Sequence, residues 1–200
     1  MKKKPLSRDY PRQFKLGKSG ITVRWMTPDD AAAVGAFVQS LPAHDLLFVS
    51  QDISHPKVLA AWMSALADDR MRSLVAFEGD QLVGCTAIVI DPLSWSSHVG
   101  ELRVLVDTSW RGRGLGRVLV QESFALALGF GLDKLIVRMT VDQGAAIALF
   151  EELGFRAEAV LRDHVKDREG RSHDLALLGH DIDEVQARMQ VMGLDRALSA

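Results

Sequence analysis

Residues Ile21-Thr22-Val23-Arg24-Trp25-Met26 alternate between apolar and polar with period two, the pattern of a half-buried strand. Thr27-Pro28-Asp29-Asp30 reads as a helix start, with a hydroxyl at the N-cap, proline at the first helical position and acids near the positive end of the dipole. That helix runs to about Gln39. A second helix is predicted over 56–68. Runs 72–78 and 81–90 join at Gly79-Asp80, whose turn chemistry makes them a hairpin, and 100–106 is the fourth strand. A helix over 114–128 and a fifth strand over 134–139 follow. In a short helix over 143–153, Ala146, Leu149, Phe150 and Leu153 fall at i, i+3, i+4 and i+7 on one apolar stripe. Gly154 stands where a helix end takes a left-handed residue, and Phe155 can pack back on the last turn. Two more strands, at roughly 155–163 and 172–178, flank the polar turn Asp167-Arg168-Glu169-Gly170. Ile182, Val185, Met189 and Met192 mark a final amphipathic helix, suited to closing the core or to a homodimer contact.

The order β-α-α-β-β-β-α-β-α-β-β, without repeat or linker, predicts one mixed α/β (α+β) domain over 19–180, preceded by a leader over 1–18 and followed by a helix over 181–200. Charge changes the picture only at the start. The chain is −2 overall, too little to draw it to nucleic acid or anionic membrane, yet residues 1–18 carry seven Lys/Arg against Asp9 alone, so the remainder stands at −8. A basic arm of this kind is expected to be a solvated, flexible leader, and neither a nucleic-acid nor a membrane partner is expected. The one cysteine, Cys85, excludes an internal disulfide framework, and its strand-like neighbours make it a buried, inert thiol. No apolar run reaches the roughly 18 residues that span a bilayer, and Met1-Lys2-Lys3-Lys4-Pro5 leads into no apolar stretch, so a cytoplasmic location is expected.

Chemistry concentrates in Val104-Leu105-Val106-Asp107-Thr108-Ser109-Trp110-Arg111-Gly112-Arg113-Gly114-Leu115-Gly116-Arg117, a strand, a loop rich in Gly and Arg, and a helix start. Gly112, Gly114 and Gly116 let backbone N–H groups come close to a ligand, the helix end adds its unpaired donors and positive dipole, and Arg111, Arg113 and Arg117 add charge. A pyrophosphate fits. A Walker A loop is excluded because no Gly-Lys-Ser/Thr ends the segment. The dinucleotide fingerprint fails from either start, with Arg117 or Leu119 in the last glycine slot.

Arg111-x-x-Gly114-x-Gly116 is similar to the Gln/Arg-x-x-Gly-x-Gly/Ala signature of the GNAT acyltransferase superfamily. Residues 143–155, Gln-Gly-Ala-Ala-Ile-Ala-Leu-Phe-Glu-Glu-Leu-Gly-Phe, resemble that family's downstream helix, usually Asn-x-x-Ala-x-x-Leu-Tyr-x-x-x-Gly-Phe. The resemblance covers residues 21–180. It implies a mostly antiparallel sheet whose fourth and fifth strands splay apart to admit acetyl-CoA as cosubstrate, with no metal. It also implies that the 111–117 loop grips the pyrophosphate, that Leu105 and Val106 bond the pantetheine through backbone groups, and that the Val106 N–H stabilises the oxyanion. Glu101, ten residues before Arg111, matches a glutamate used as base in several relatives, and His98 is a second candidate. A base is needed because a lysine-like amine is only about 0.04% neutral at pH 7. Two positions depart from the pattern. Phe150 replaces the tyrosine that can protonate the departing thiolate, the chain's only tyrosine being Tyr10, and Gln143 replaces the asparagine that reaches the cofactor. A thiol is a tolerable leaving group without a dedicated acid.

The resemblance places the acceptor pocket between the loop at about 43–56 and the late hairpin at about 163–172. There Asp45, Asp52 and Asp163 could attract a cationic amine, and His173-Asp174 could contribute. His44, His55, His98, His164, His173 and His180 have no metal-ligand spacing. The expected activity is transfer of an acetyl group to a primary amine by direct attack in a ternary complex. A small molecule or amino acid is favoured over a protein amine as partner, and a non-catalytic acyl-CoA sensor is the alternative.

Overall fold

The computed structural model describes residues 8–47, 51–67 and 71–182. Its elements are β1 (Arg12–Leu16), β2 (Ser19–Trp25), α1 (Ala31–Ser40), α2 (Pro56–Ala67), β3 (Met71–Glu78), β4 (Gln81–Val89), β5 (Val99–Val106), α3 (Leu115–Gly129), β6 (Lys134–Thr140), α4 (Gly144–Glu152), β7 (Arg156–Lys166) and β8 (Ser172–Asp181). Among the described residues the eight strands form one sheet in the order β1-β2-β3-β4-β5-β6-β8-β7. Every neighbouring pair is antiparallel except β5 with β6.

Both faces of the sheet are covered. On one, Leu115, Leu119, Leu126 and Phe150 of α3 and α4 pack with Ile21, Leu74, Ile88, Leu102 and Leu178; on the other, Val34, Phe37 and Trp62 of α1 and α2 pack with Val75, Cys85, Ala87 and Leu105. Successive residues such as Leu74 and Val75 thus enter opposite cores, so the central strands read as continuous apolar runs where an edge strand alternates. Cys85 is buried, and desolvation pushes its thiol up to about 12, as expected of an inert cysteine. Gly84 allows α3 to lie directly on β4: a methyl there would stand 2.9 Å from Leu119 Cδ1 and 3.1 Å from the Leu105 carbonyl.

The helix start at Thr27 is built as its residues predict, through a 3-10 turn at Pro28–Asp30. Buried Asp30 accepts from the Thr27 N–H at 2.8 Å and from both ends of the Arg24 guanidinium at 2.6 and 2.8 Å. Arg24 is the first cause that holds its carboxyl below the usual range.

The described part of the expected leader is ordered on the domain. Arg12–Leu16 pairs with β2 as the edge strand, and the segment before it docks on α3. The anchor is Glu122, buried in α3, which accepts from the Tyr10 hydroxyl at 3.0 Å and pairs with Arg8 and with Arg12 at 3.5 Å. A carboxylate buried in a core needs partners, and the basic residues near the start supply them. Desolvation and the Glu122 charge together push the Tyr10 hydroxyl well above its ordinary value. Residues 1–7 and the predicted helix over 183–200 lie outside the described residues.

Two outcomes follow from these buried groups. Glu122→Gln weakens the tether by about 1–3 kcal/mol, read as a lower Tm and faster tryptic cleavage after Arg8 and Arg12. His180 lies against Phe124 and Phe155, with ring centroids 4.8 and 5.1 Å away, and burial holds its imidazole below the ordinary 6.5. A folded-state value below the unfolded one favours the neutral ring, so its contribution is complete above about pH 6.5 and is lost as pH falls. Melting temperatures from about pH 7 to pH 5 therefore decline, and His180→Gln flattens that decline.

Candidate active site

The parallel pair β5–β6 is short: only Val99–Glu101 face Lys134–Ile136. Beyond it β5 stays with β4 as far as Val106, β6 stays with β8 as far as Thr140, and a wedge opens between them. The Asp107 N–H donates to the Val83 carbonyl on the β4 side at 2.9 Å. Backbone groups alternate between the two edges of a strand, so Val106 and Val104 turn theirs toward the wedge while Leu105 turns its own toward β4. Of the two expected pantetheine partners, Val106 is the one whose backbone faces the gap; Leu105 instead buries its side chain against the α1–α2 core.

At the open end of β5 the chain makes a cradle. Asp107 accepts from the Ser109 N–H at 2.8 Å, buried Trp110 anchors the turn, and Gly112 (φ 69°) and Gly114 (φ 90°) take the left-handed backbone that lets the loop reverse into α3. The first helical bond runs from the Val118 N–H to the Gly114 carbonyl. The N–H groups of Leu115, Gly116 and Arg117 thus precede the helical ladder at the positive end of the dipole. Gly116 brings α4 close, since a Cβ there would stand 3.2 Å from Leu149 Cδ2. The Arg113 guanidinium lies over the Trp110 ring at 3.8 Å, Arg111 pairs with Asp45, and Arg117 pairs with Glu152.

Asp45 belongs to a short 3-10 turn, Ala43–Leu46, that spans the wedge. On one side its Asp45 holds Arg111 of the cradle. On the other, His44 Nε2 lies 3.0 Å from Asp142 Oδ2 and 3.3 Å from Thr140 Oγ1 at the end of β6. Beneath this strap a cleft of about 700 Å³ is bounded by His44, Arg138, Asp142, Asp167, Arg168 and His173, among others. It lies where the resemblance places the acceptor, between the 43–56 loop and the late hairpin.

Two histidine–carboxylate pairs line this cleft. His173 Nε2 lies 3.0 Å from Asp167 Oδ2, and the His44 and His173 rings meet edge to face at 5.1 Å. Hydrogen bonding from His173 is the main reason the Asp167 carboxyl is held far below the usual range, with the Arg171 N–H and guanidinium adding to it. Asp142 is lowered too, by the Thr140 hydroxyl first and then by His44. Donor atoms of His44, Asp142 and His173 come within 4.8 Å of one another, a grouping that residue spacing does not reveal. Each histidine already has a carboxylate partner, so hydrogen bonds alone account for the cluster.

Glu101 stands where β5 and β6 part. Its carboxylate is 14% exposed and held by Arg103 Nε at 3.1 Å and an Arg138 terminal nitrogen at 3.2 Å. Arg138 reaches on into the cleft. The other expected residues scatter. Exposed His98 contributes its carbonyl to the Asp133 N–H at 2.9 Å, and Gln143 starts α4, with its carbonyl accepting from Ala146 and Ile147. Phe150 packs in the core edge to face with Phe155 at 5.1 Å. Asp52 accepts from the Ser54 N–H at 3.0 Å and meets Arg168 at 3.3 Å at the rim. Asp163 takes φ 49° at a β7 bulge, where its N–H donates to Asp174 Oδ1 at 2.9 Å.

The sequence pattern of the acetyltransferase (GNAT) family matches residues 37–155. The chain belongs to the GNAT family. As such it is an acyltransferase of a family that uses acetyl-CoA. YwnH of Bacillus subtilis (strain 168) is 24% identical over 170 residues, covering 81% of this chain and 99% of its own. The L-amino acid N-acetyltransferase AaaT of Escherichia coli (strain K12) is 28% identical over 99 residues, 48% of this chain and 61% of its own. N-alpha-acetyltransferase RimI of Mycobacterium tuberculosis is 32% identical over 124 residues, 60% and 72% of the two chains. The fold is shared with yncA of Salmonella typhimurium, a structure that holds its cofactor acetyl-CoA, at a TM-score of 0.69 and 24% identity over 82% of this chain and 95% of that one. No helix among the described residues of this GNAT protein is long and apolar enough to cross a membrane.

Gly116→Val forces a branched side chain between the cradle, Leu149 and Val106. CoA binding followed by calorimetry is expected to weaken by at least about tenfold, ~1.4 kcal/mol, with the far-UV spectrum unchanged.

Proposed function

We propose that the protein transfers the acetyl group of acetyl-CoA to the primary amine of a small molecule, an amino acid being the leading class, by direct attack within a ternary complex. The observation that carries this reading is the meeting of two chambers at the wedge. The 111–117 loop follows β5 at one lip, the cleft adjoins the end of β6 at the other, and the 43–46 strap contacts both through Asp45 and His44. The residues present suit the donor: glycine-freed N–H groups and a helix terminus for the pyrophosphate, with Arg111, Arg113 and Arg117 able to turn from Asp45, Ser19 and Glu152 toward it. AaaT, named for L-amino acids, and spermidine N-acetyltransferase of Vibrio cholerae, solved with CoA and spermine, support an amine acceptor of small size.

In this proposal the Val106 N–H, directed into the wedge, stabilises the oxyanion formed on the thioester carbonyl. The acceptor nitrogen sheds one proton before it attacks and a second once the C–N bond has formed. Glu101 receives the second through a water. A carboxylate offers about four lone-pair sites, and Arg103 and Arg138 take one on each oxygen, so room remains for that water. The thiolate leaves without a side-chain acid, because Phe150 carries no hydroxyl.

The test is thiol release from acetyl-CoA across L-amino acids, spermidine and lysine peptides. Amine-dependent release, strongest with free amino acids, is the expected result. Glu101→Gln lowers kcat by about 10²-fold and leaves CoA affinity unchanged. Tight CoA binding without release to any amine would move the protein to the sensor class.

A further inference from the structure

We infer that His173 accepts the first proton, the one that converts the bound ammonium to a nucleophilic amine, with Asp167 as its positioning carboxylate and His44 as the ring that closes over it. This rests on the acetyl-transfer reading above.

The contacts of Asp167 fix the tautomer of His173. Asp167 Oδ1 accepts the N–H groups of Glu169 at 3.0 Å and Arg171 at 2.8 Å, and Oδ2 accepts Arg171 Nε at 2.9 Å. A carboxylate so fully donated to stays ionised and acts only as an acceptor. The His173 nitrogen 3.0 Å from Oδ2, Nε2, therefore carries the hydrogen, and Nδ1 carries the lone pair. That is the arrangement in which a carboxylate orients an imidazole and stabilises the imidazolium once it forms. The turn that supplies Asp167 is itself fixed: its N–H donates to the Arg171 carbonyl and its carbonyl accepts from Gly170, both at 3.0 Å.

Position is the second element. His173 is in β8, two residues from Leu175, which pairs with Thr140 at the last rung of β6. This is the end of β6 that lies beyond its short pairing with β5, on the side of the wedge that the cleft adjoins. The ring is 22% exposed, reachable from the cleft it lines yet mostly shielded from bulk water. Sharing that cleft are Arg168, Glu169 and Arg171 from the turn, His164 and Lys166 from β7, His44 from the strap, Asp52, which pairs with Arg168, and Arg138 and Asp142 from β6 and the loop after it. Arg138 is compensated by Glu101 and Arg171 by Asp167, and His44 is paired with Asp142. Asp167 is the carboxylate in direct contact with the His173 ring, so a positive charge arriving there meets an acid at 3.0 Å.

His173 Nδ1 takes one proton from R–NH3+. The freed lone pair forms the C–N bond at the thioester carbon, and the C–S bond breaks with its electron pair on sulfur. The nitrogen's second proton passes through a water to Glu101 and on to solvent, and the thiolate takes a proton from solvent. The imidazolium returns its proton to solvent, so one proton is released per acetyl group transferred.

The test compares wild type with His173→Gln from about pH 6 to pH 10, using L-methionine as acceptor, or spermidine if that is the better substrate. The wild type works on the bound ammonium, whereas the variant depends on amine already neutral in solution. Its kcat/KM is therefore expected to fall by about 10²-fold near neutrality and to recover toward wild type as pH approaches the acceptor's own pKa. CoA affinity, set on the far side of the wedge, stays unchanged. A deficit constant across pH would mean a merely structural role and overturns the inference. Should the variant misfold, wild-type protein decides: the acid limb of kcat/KM must coincide with the His173 imidazole titration followed by NMR, and a mismatch overturns it. Wild type inactive with every amine fails the acetyl-transfer reading, and this inference with it.

Discussion

The structure turns on a hydrogen-bond ladder that stops early. β5 and β6 share three residue pairs and then each remains faithful to its other neighbour, which leaves two strand edges facing an opening in the middle of a sheet. Unpaired backbone groups inside a protein are costly unless something satisfies them. A binding site built on such edges starts with polar groups already directed and already desolvated. Everything around the opening serves to hold it apart or roof it over: α3 presses on β4 through Gly84, α4 leans on the loop at Gly116, and the 43–46 strap reaches from lip to lip.

The electrostatics follow the same division. On the cradle side the arginines are the mobile partners of Asp45 and Glu152, so positive charge can be redirected at little cost. On the cleft side charges are fixed in place. Asp167 has its lone pairs spoken for within one turn, and Glu101 is gripped by arginines from two strands. One chamber can thus redirect its charges while the other keeps its donors and acceptors pointed.

Much of this was legible in the chain. Period-two runs, glycine and proline punctuation and the i, i+4 stripe at Leu149 and Leu153 were local signals, and they gave nearly every helix and strand. The cradle was legible because its chemistry lies within seven consecutive residues, 111–117. Three things were hidden. Arg12–Leu16 sits among so many cations that it resembles a solvated arm, and its strand character depends on β2 and on Glu122, more than a hundred residues away. The cleft cluster was hidden for the same reason: residues 44, 142, 167 and 173 come from four separate segments, and no spacing along the chain could announce them. The backbone direction of Leu105 was beyond reach because it depends on which edge β4 occupies.

The Glu122 anchor has a mechanical side. It sits seven residues along α3 from Leu115, about 10 Å down the helix axis, so the helix that forms the floor of the cradle is moored at its middle to the first described residues of the chain. Arg8, Tyr10 and Arg12 thus bear on the same helix whose first turn closes the 111–117 loop.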